Sequence, residues 1–303
     1  MKVRINRTSK ISPEKGLVEN SMEFSVLLAH EIERNVLAAL AEDIGGGDLT
    51  ALLTPTARRA LGIVTCRESA VLCGTAWFDS CLHHLDAVAQ IRWLAQDGDT
   101  IKAGQVICEI VAETRALLTS ERAALNFLQL LSGTATLTRV YVKAVAGTHA
   151  RIVDTRKTLP GLRLAQKYAV TCGGGTNHRL GLYDGILIKE NHIIAAGGIT
   201  PALERARSIA SGKVFIQIEV ETLEQLAEAL DQGATMILLD NMDLAQMRQA
   251  VGLNAGRAEL EASGGVRLDT VRAIAETGVD RISIGMLTKD VRAIDLSLRH
   301  TEG

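Results

Sequence analysis

The chain has 303 residues, 47% of them hydrophobic and only 3% aromatic. That is enough for one large α/β domain or two modest ones, with a core of Ala, Val, Ile and Leu suited to helices on parallel strands. A net charge of −2 excludes a bulk basic field for nucleic acid, so any anion site has to be local. The five cysteines, odd in number and without a C-x-x-C pair, predict reduced and mostly buried thiols rather than a disulfide framework or a structural zinc site. The stretch from Met1 to Asn20 is polar and lacks the apolar centre of a signal peptide, and no apolar run of roughly 18 residues follows, so the expectation is a cytoplasmic protein without a membrane span.

In chain order, the first twenty residues read as a loose tail. A helix is predicted from Ser25 to Glu42, with Leu27, Leu28, Ile32, Val36 and Leu40 on one side and Gly45, Gly46 and Gly47 as its stop. Strand-and-turn material follows: Leu61–Arg67, Ala70–Cys73, Ile91–Leu94, Thr100–Ile101 and Val106–Ile110, punctuated by Gly98 and Gly104. The stretch DGDTIKAGQVICEI has the look of a biotinyl- or lipoyl-carrier hairpin but lacks the flanked lysine of one. From about Thr119 a long helical stretch leads into a regular alternation. The strands read ARIVDT, GILIKE, KVFIQIEV, ATMILLD, AELEAS and RISIGM, and the helices between the later ones PALERARSIA, TLEQLAEALDQG, DLAQMRQAVGL and RLDTVRAIAETG. Short apolar strands alternating with helices predict a parallel sheet covered on both faces. Glu219, Asp240, Ser263 and Gly285 fall at or just beyond strand ends, spaced 21, 23 and 22 residues apart. Polar candidates after so many successive strands favour a β/α barrel, with its site at the C-terminal strand ends, over a doubly wound open sheet.

The candidate chemistry is a convergence of cations. DTRKT supplies Arg156 and Lys157, Arg163 and Lys167 follow, CGGGTNHR supplies His178 and Arg179, and GILIKENH ends in Lys189. Arginine recognises carboxylate or phosphate bidentately, and lysine supplies a point charge. For Arg163 and Lys167 a solvated charged face is an equal reading. The carboxylates Glu219 and Asp240 could hold Mg²⁺ through water or hydrogen-bond sugar hydroxyls. Ser263, Gly264, Gly265 and Gly285 read as loops that bind phosphate through backbone N–H groups, the first opening onto the N-terminus of the helix RLDTVRAIAE. Together these residues predict a strongly anionic ligand with a phosphorylated part and a separate carboxylated part. A Schiff-base role for Lys189 fits poorly among so many cations, and a non-enzymatic anion binder fits poorly with candidates on every strand.

Eight stretches carry a resemblance: ALAEDIGGGDLT, SERAALNFLQLLSGTATLT, RIVDTRKTLPGLR, YAVTCGGGTNHRLGLYDGILIKENHI, IEVET, LLDNM, LEASGGV and ISIGMLTKDVRAIDLSL. In order and spacing they are similar to the quinolinate phosphoribosyltransferases, from about residue 38 to 298. The full NHRLGLYDGILIKENH separates the chain from the molybdenum-transport-associated relatives of that fold. The resemblance implies an N-terminal α/β sandwich domain, residues 1–131 joined by a C-terminal segment 290–303, followed by an incomplete parallel β/α barrel over 132–289. It implies transfer of a phosphoribosyl group from phosphoribosyl pyrophosphate to quinolinate, with decarboxylation, in a homodimer or higher even oligomer with shared active sites. By match, Arg156, His178, Arg179 and Lys189 would meet the quinolinate carboxylates, and Lys157 would face phosphoribosyl pyrophosphate. Glu219 and Asp240 would meet ribose hydroxyls and the Mg²⁺ shell. Ser263, Gly264, Gly265 and Gly285 would bind the 5′-phosphate, and Arg122, in SERAALNF, would reach across from the partner subunit.

Overall fold

The computed structural model describes residues 14–55, 58–210, 212 and 214–301. Helix α1 spans Glu14–Ile44, so residues 14–20, expected as part of a loose tail, are helical. The sequence from Glu14 to Phe24 has no proline and several strong helix formers, which lets the helix run on beyond its apolar stripe. Residues 1–13 of the expected tail lie outside the described residues. Within the stripe, Val36 and Leu40 are buried, but Leu27 is 45% exposed. Gly45 ends the helix at φ 52°, a left-handed position that glycine takes without strain.

A short 3-10 turn, Ala51–Leu53, leads to β1 (Arg59–Cys66), β2 (Ala70–Val71), α2 (Thr75–Leu85), β3 (Gln90–Trp93), β4 (Thr100–Ile101) and β5 (Val106–Glu113). The final strand, β12 (Leu296–Thr301), returns to pair antiparallel with β1, completing a four-stranded sheet in the order β12-β1-β5-β3. Helix α2 was not expected, because TAWFDSCLHHL is rich in weak helix formers. Its register is set by burial of Trp77, Phe78, Cys81 and Leu82, one face at helical spacing.

Helix α3 (Thr114–Ala144) is continuous across the 131/132 boundary. Leu117, Leu125, Leu128 and Leu131 belong to the core of the antiparallel layer, whereas Tyr141 and the following Val145 belong to the second core. One helix thus serves both. The chain after the last helix crosses α3 at Gly133, where a Cβ would stand 2.2 Å from the Arg292 carbonyl oxygen, so only glycine permits the crossing.

The second core surrounds six parallel strands: β6 (Arg151–Val153), β7 (Gly185–Ile188), β8 (Phe215–Val220), β9 (Met236–Asp240), β10 (Glu259–Ser263) and β11 (Arg281–Ser283). Their order is β6-β11-β10-β9-β8-β7. From β7 to β11, strands neighbouring in sequence are neighbours in the sheet with no reversal, and β6 joins β11. That is barrel winding with one gap, between β6 and β7, whereas a doubly wound sheet would reverse at a switch point. Thr176 pairs with Val153 on the β6 side of the gap. The helices are α4 (Arg163–Cys172), α5 (Glu190–Ala196), α6 (Ile199–Ala210), α7 (Leu223–Asp231), α8 (Leu244–Asn254), α9 (Val271–Ala275) and α10 (Met286–Lys289).

Alternate strand residues face opposite ways. Ile218, Val220, Ile237, Leu239, Leu260, Ala262 and Ile282 lie in the apolar core with the helices. The other set lines a polar interior. His178 Nε2 lies 2.7 Å from Gln217 Oε1, Gln217 Nε2 donates to Glu261 Oε2 at 3.1 Å, and Arg281 Nε donates to the same oxygen at 2.9 Å. Beside this chain, the wholly buried Lys167 ammonium donates to Asp154 Oδ1 and, at 3.0 Å, to the His178 carbonyl oxygen. The same Asp154 oxygen accepts the His178 backbone N–H at 2.8 Å. Burial pushes the Asp154 carboxyl up to about 6 and the Lys167 amine down, so each charge depends on the other. Lys167→Met would leave Asp154 buried without its cation. The expected loss is about 3–5 kcal/mol of stability in denaturant unfolding, much of it regained when Asp154→Asn is added. A loss below about 1 kcal/mol in the single variant would contradict a structural ion pair here.

Candidate active site

The C-terminal ends of the barrel strands open into a cavity of about 720 Å³. Its lining includes Arg156, Lys157, His178, Arg179, Lys189, Glu219, Asp240, Ser263, Gly264, Gly265 and Gly285. These residues come from loops and strand ends more than a hundred positions apart, brought together by the barrel.

Arg156 and Lys157 follow β6. The Arg156 Nε is buried with no hydrogen-bond partner. Arg179 is half-buried and donates Nη1 to the Gly185 carbonyl oxygen at 3.1 Å. Burial, and then the neighbouring Arg156 guanidinium, hold Arg179 below its ordinary value. Neither arginine forms an ion pair among the described residues. Two guanidinium groups close enough to repel each other, opposed only in part by the Asp184 carboxylate, leave positive charge for an arriving anion to neutralise. Lys189, at the end of β7, is different: its Nζ donates to Glu219 Oε2 at 2.7 Å. It offers a cation already half-compensated on the carboxylate side of the cavity.

His178 lines the cavity, but both of its ring nitrogens are engaged. The Arg179 backbone N–H donates to Nδ1 at 2.7 Å, which leaves the proton on Nε2 to be donated to Gln217. Burial lowers its basicity, so the ring is the neutral member of the group. It fixes where the Arg179 backbone sits. In this arrangement neither nitrogen is free for the carboxylate contact expected of it.

Arg163 and Lys167 are not in the lining. Arg163 donates to Thr158 Oγ1 and the Leu180 carbonyl oxygen, and Lys167 belongs to the buried pair. Arg122 is exposed on α3 and is absent from the lining of its own chain's cavity. The expected helix N-terminus behind Ser263–Gly264–Gly265 is also displaced. Helix α9 begins only at Val271, because residues 268–270 form a turn first. The loop itself carries the special geometry, with Gly264 at φ 99° and Gly265 at φ 58°. A Cβ on Gly264 would meet Asn241 Oδ1 at 2.1 Å. Successive glycines in such conformations expose backbone N–H groups toward a cavity, a concavity suited to anions. Gly285 lies against Lys157, whose Cδ would stand 3.1 Å from an added Cβ.

Asn241 is a site residue that the sequence reading missed. It lines the cavity in the left-handed region at φ 55°, uncommon for a residue with a side chain. Its Nδ2 donates to Asp240 Oδ2 at 2.8 Å and its N–H to the Ser263 carbonyl oxygen at 3.0 Å, tying β9 to β10 at the rim. The available signal was an Asn directly after a strand-end Asp, since Asn tolerates this conformation better than most residues.

Comparison with known proteins shows the family. Residues 48–132 match the N-terminal domain of quinolinate phosphoribosyl transferase, and residues 134–299 match its C-terminal domain. The chain belongs to the quinolinate phosphoribosyl transferase family. It is 42% identical over 257 residues to a probable carboxylating nicotinate-nucleotide pyrophosphorylase of Bacillus subtilis, covering 85% of this chain and 89% of that one. It is 38% identical over 290 residues to a chloroplastic protein of the same name from Arabidopsis thaliana, with 89% and 83% covered. Among solved structures, the nicotinate-nucleotide pyrophosphorylase of Francisella tularensis superposes with a TM-score of 0.87 at 43% identity, over 90% of this chain and 96% of that one.

Proposed function

We propose that the chain transfers a phosphoribosyl group from phosphoribosyl pyrophosphate to quinolinate and releases pyrophosphate and CO₂, giving nicotinate mononucleotide for NAD synthesis. The observation that carries this is the pair Arg156 and Arg179, cationic, neighbouring and without ion-pair partners among the described residues, in a cavity that Glu219 and Asp240 also line. Charge is segregated as the two substrates require. A dicarboxylate neutralises the arginines, with Lys189 beside it. The ribose lies toward the carboxylates, and the 5′-phosphate toward Gly264, Gly265 and Gly285, with Ser263 beside them. Lys157 faces the pyrophosphate.

The chemistry follows from those positions. The pyridine nitrogen attacks the ribose C1 as the bond to pyrophosphate breaks, and positive charge develops on the sugar. Carboxylates held nearby favour that charge, and Lys157 favours the departing anion. The new C–N bond makes the pyridine nitrogen cationic. Loss of CO₂ from the adjacent carbon leaves its electron pair beside that cation, and the carbon then takes a proton. The arginines hold the ring so that nitrogen and C1 meet, which converts binding into positioning.

Magnesium fits the residues present. Glu219 and Asp240 end adjacent strands, offer hard oxygen ligands, and face the same cavity. Held by these two, directly or through water, Mg²⁺ would supply charge neutralisation for pyrophosphate. All five cysteines are free, which fits a reducing cytoplasm, and no described helix is long and apolar enough to cross a membrane.

Arg122 supports a shared site in a dimer or higher even oligomer. The segment before it is pinned to α3: Thr119 Oγ1 donates to Asp48 Oδ2 at 2.8 Å, and Arg115 Nη2 to the Thr54 carbonyl oxygen at 2.6 Å. That segment holds Leu49, Leu52 and Leu53 at 82%, 66% and 84% exposure. Clustered apolar side chains near an arginine that has no ion pair among the described residues suit a face covered by a second copy, whose cavity Arg122 would enter.

Two experiments test this reading. Quinolinate labelled with ¹⁴C in the carboxyl lost on decarboxylation should release labelled CO₂ only with phosphoribosyl pyrophosphate and Mg²⁺ present; no release at saturating substrate would refute the assignment. Arg122→Ala and Lys189→Ala should each be inactive as homodimers. Their heterodimer places both defects in one site and leaves the other intact, so it should recover up to about half of wild-type activity. No recovery in a verified heterodimer would mean that Arg122 serves its own subunit.

A further inference from the structure

Away from the barrel mouth, two thiols from different layers meet. Cys73 follows β2 in the antiparallel layer, and Cys172 is the last residue of α4. Their sulfur atoms and a carboxylate oxygen of Asp97 all lie within 4.8 Å of one another. Each thiol is held from its own side. The Cys73 backbone N–H donates to Ser132 Oγ at 2.9 Å, and that hydroxyl donates back to the Cys73 carbonyl oxygen at 3.1 Å. Arg139 grips the other partner, with Nη2 on the Cys172 carbonyl oxygen at 2.9 Å and Nε on that of Gly173 at 2.8 Å. The two sulfurs face each other across a junction whose backbone on both sides is anchored to α3.

The surroundings divide the roles. Cys172 is partly exposed and Cys73 is buried. The Cys73 thiol, the Tyr168 hydroxyl and the Arg139 guanidinium hold Cys172 below the ordinary thiol value against the opposing effect of its burial, whereas burial holds Cys73 well above it. A partly exposed thiol of lowered pKa beside a buried thiol is the arrangement of an attacking and a resolving cysteine. A metal centre fits less well. Asp97 already accepts the Gly74 N–H at 3.1 Å and the Tyr168 hydroxyl at 2.8 Å on one oxygen, and the Thr75 N–H at 3.2 Å on the other. Its carboxylate is the N-terminal cap of α2 and the anchor of Tyr168.

We propose that Cys73 and Cys172 form a reversible intrachain disulfide, with Cys172 as the attacking thiol and Cys73 as the resolving one. The oxidant is a low-molecular-weight disulfide. The Cys172 thiolate attacks one of its sulfurs, forming a mixed disulfide and expelling one thiolate. Cys73 loses its proton to that thiolate, attacks Cys172 Sγ and expels the second. Two protein thiols are oxidised, one small disulfide is reduced to two thiols, and no other reactant is needed. The sulfurs, within 4.8 Å of each other, have to close to about 2 Å to form the bond. The bond would join the antiparallel layer directly to α4, the helix that carries Lys167.

The test uses the whole native chain. After incubation with oxidised glutathione and alkylation under unfolding conditions, free thiols should fall from five to three per chain. Peptide mapping should find Cys73 linked to Cys172, and dithiothreitol should restore all five thiols. Cys172→Ser should form no linked peptide under the same treatment. Absence of the linked peptide from the wild type, glutathione retained on Cys172, or linkage between other cysteines would overturn the proposal. So would stoichiometric zinc in the purified protein that is lost in Cys172→Ser, since the thiols would then be metal ligands.

Discussion

The active-site half of the molecule rests on one buried ion pair. Asp154 leaves the end of β6, and Lys167 comes inward from α4, and the two meet where neither is exposed to water. Asp154 also takes the His178 backbone N–H, and Lys167 the His178 carbonyl oxygen. A segment that bridges the open gap of the barrel is thereby fixed at both backbone groups of one residue. Because removing either charge would strand the other, the pair specifies a position for the segment more than it adds net stability.

From His178 the constraint passes in two directions. Its ring reaches Gln217, Glu261 and Arg281 across the barrel interior, so β8, β10 and β11 are tied to the same point. Its Nδ1 accepts the next backbone N–H, which sets the base of the Arg179 side chain. Arg179 can then stand beside Arg156 although the two repel. A rigid polar frame lies beneath the mouth, and of Arg156, Lys157, Arg179 and Lys189 only Lys189 forms an ion pair among the described residues, with Glu219. Electrostatic work done in folding is returned when an anionic ligand arrives, which is the meaning of a preorganised site.

Much of this was legible in the sequence because it depended on local pattern. Short apolar strands at a regular spacing announced the β/α repeat, and cations directly after strand ends announced the mouth. The frame was hidden for the opposite reason. Gln217, Glu261 and Arg281 are polar letters in strands that read as covered on both faces, and their partners lie 20 to 44 positions away in the chain. Lys167 read equally as a site cation or a solvated one, because nothing nearby in sequence identifies Asp154 as its mate. The family match made His178 a ligand contact, while the tertiary structure turns Nε2 to Gln217 and Nδ1 to the Arg179 backbone N–H. Helix α2 escaped because its stability comes from Trp77 and Phe78 packing rather than from propensity, and the left-handed φ angles of the glycine loop before α9 are revealed by no spacing.

The central claim is that the arginines meet the ligand while the histidine holds them. A crystal structure of the protein with quinolinate tests it most directly. The account predicts the two carboxylates against Arg156 and Arg179 with Lys189 alongside, and the His178 ring unmoved, still bonded to Gln217 and to the Arg179 backbone. A His178 ring rotated out of that frame to bind a carboxylate, or quinolinate lying outside the Arg156–Arg179 side of the cavity, would contradict it.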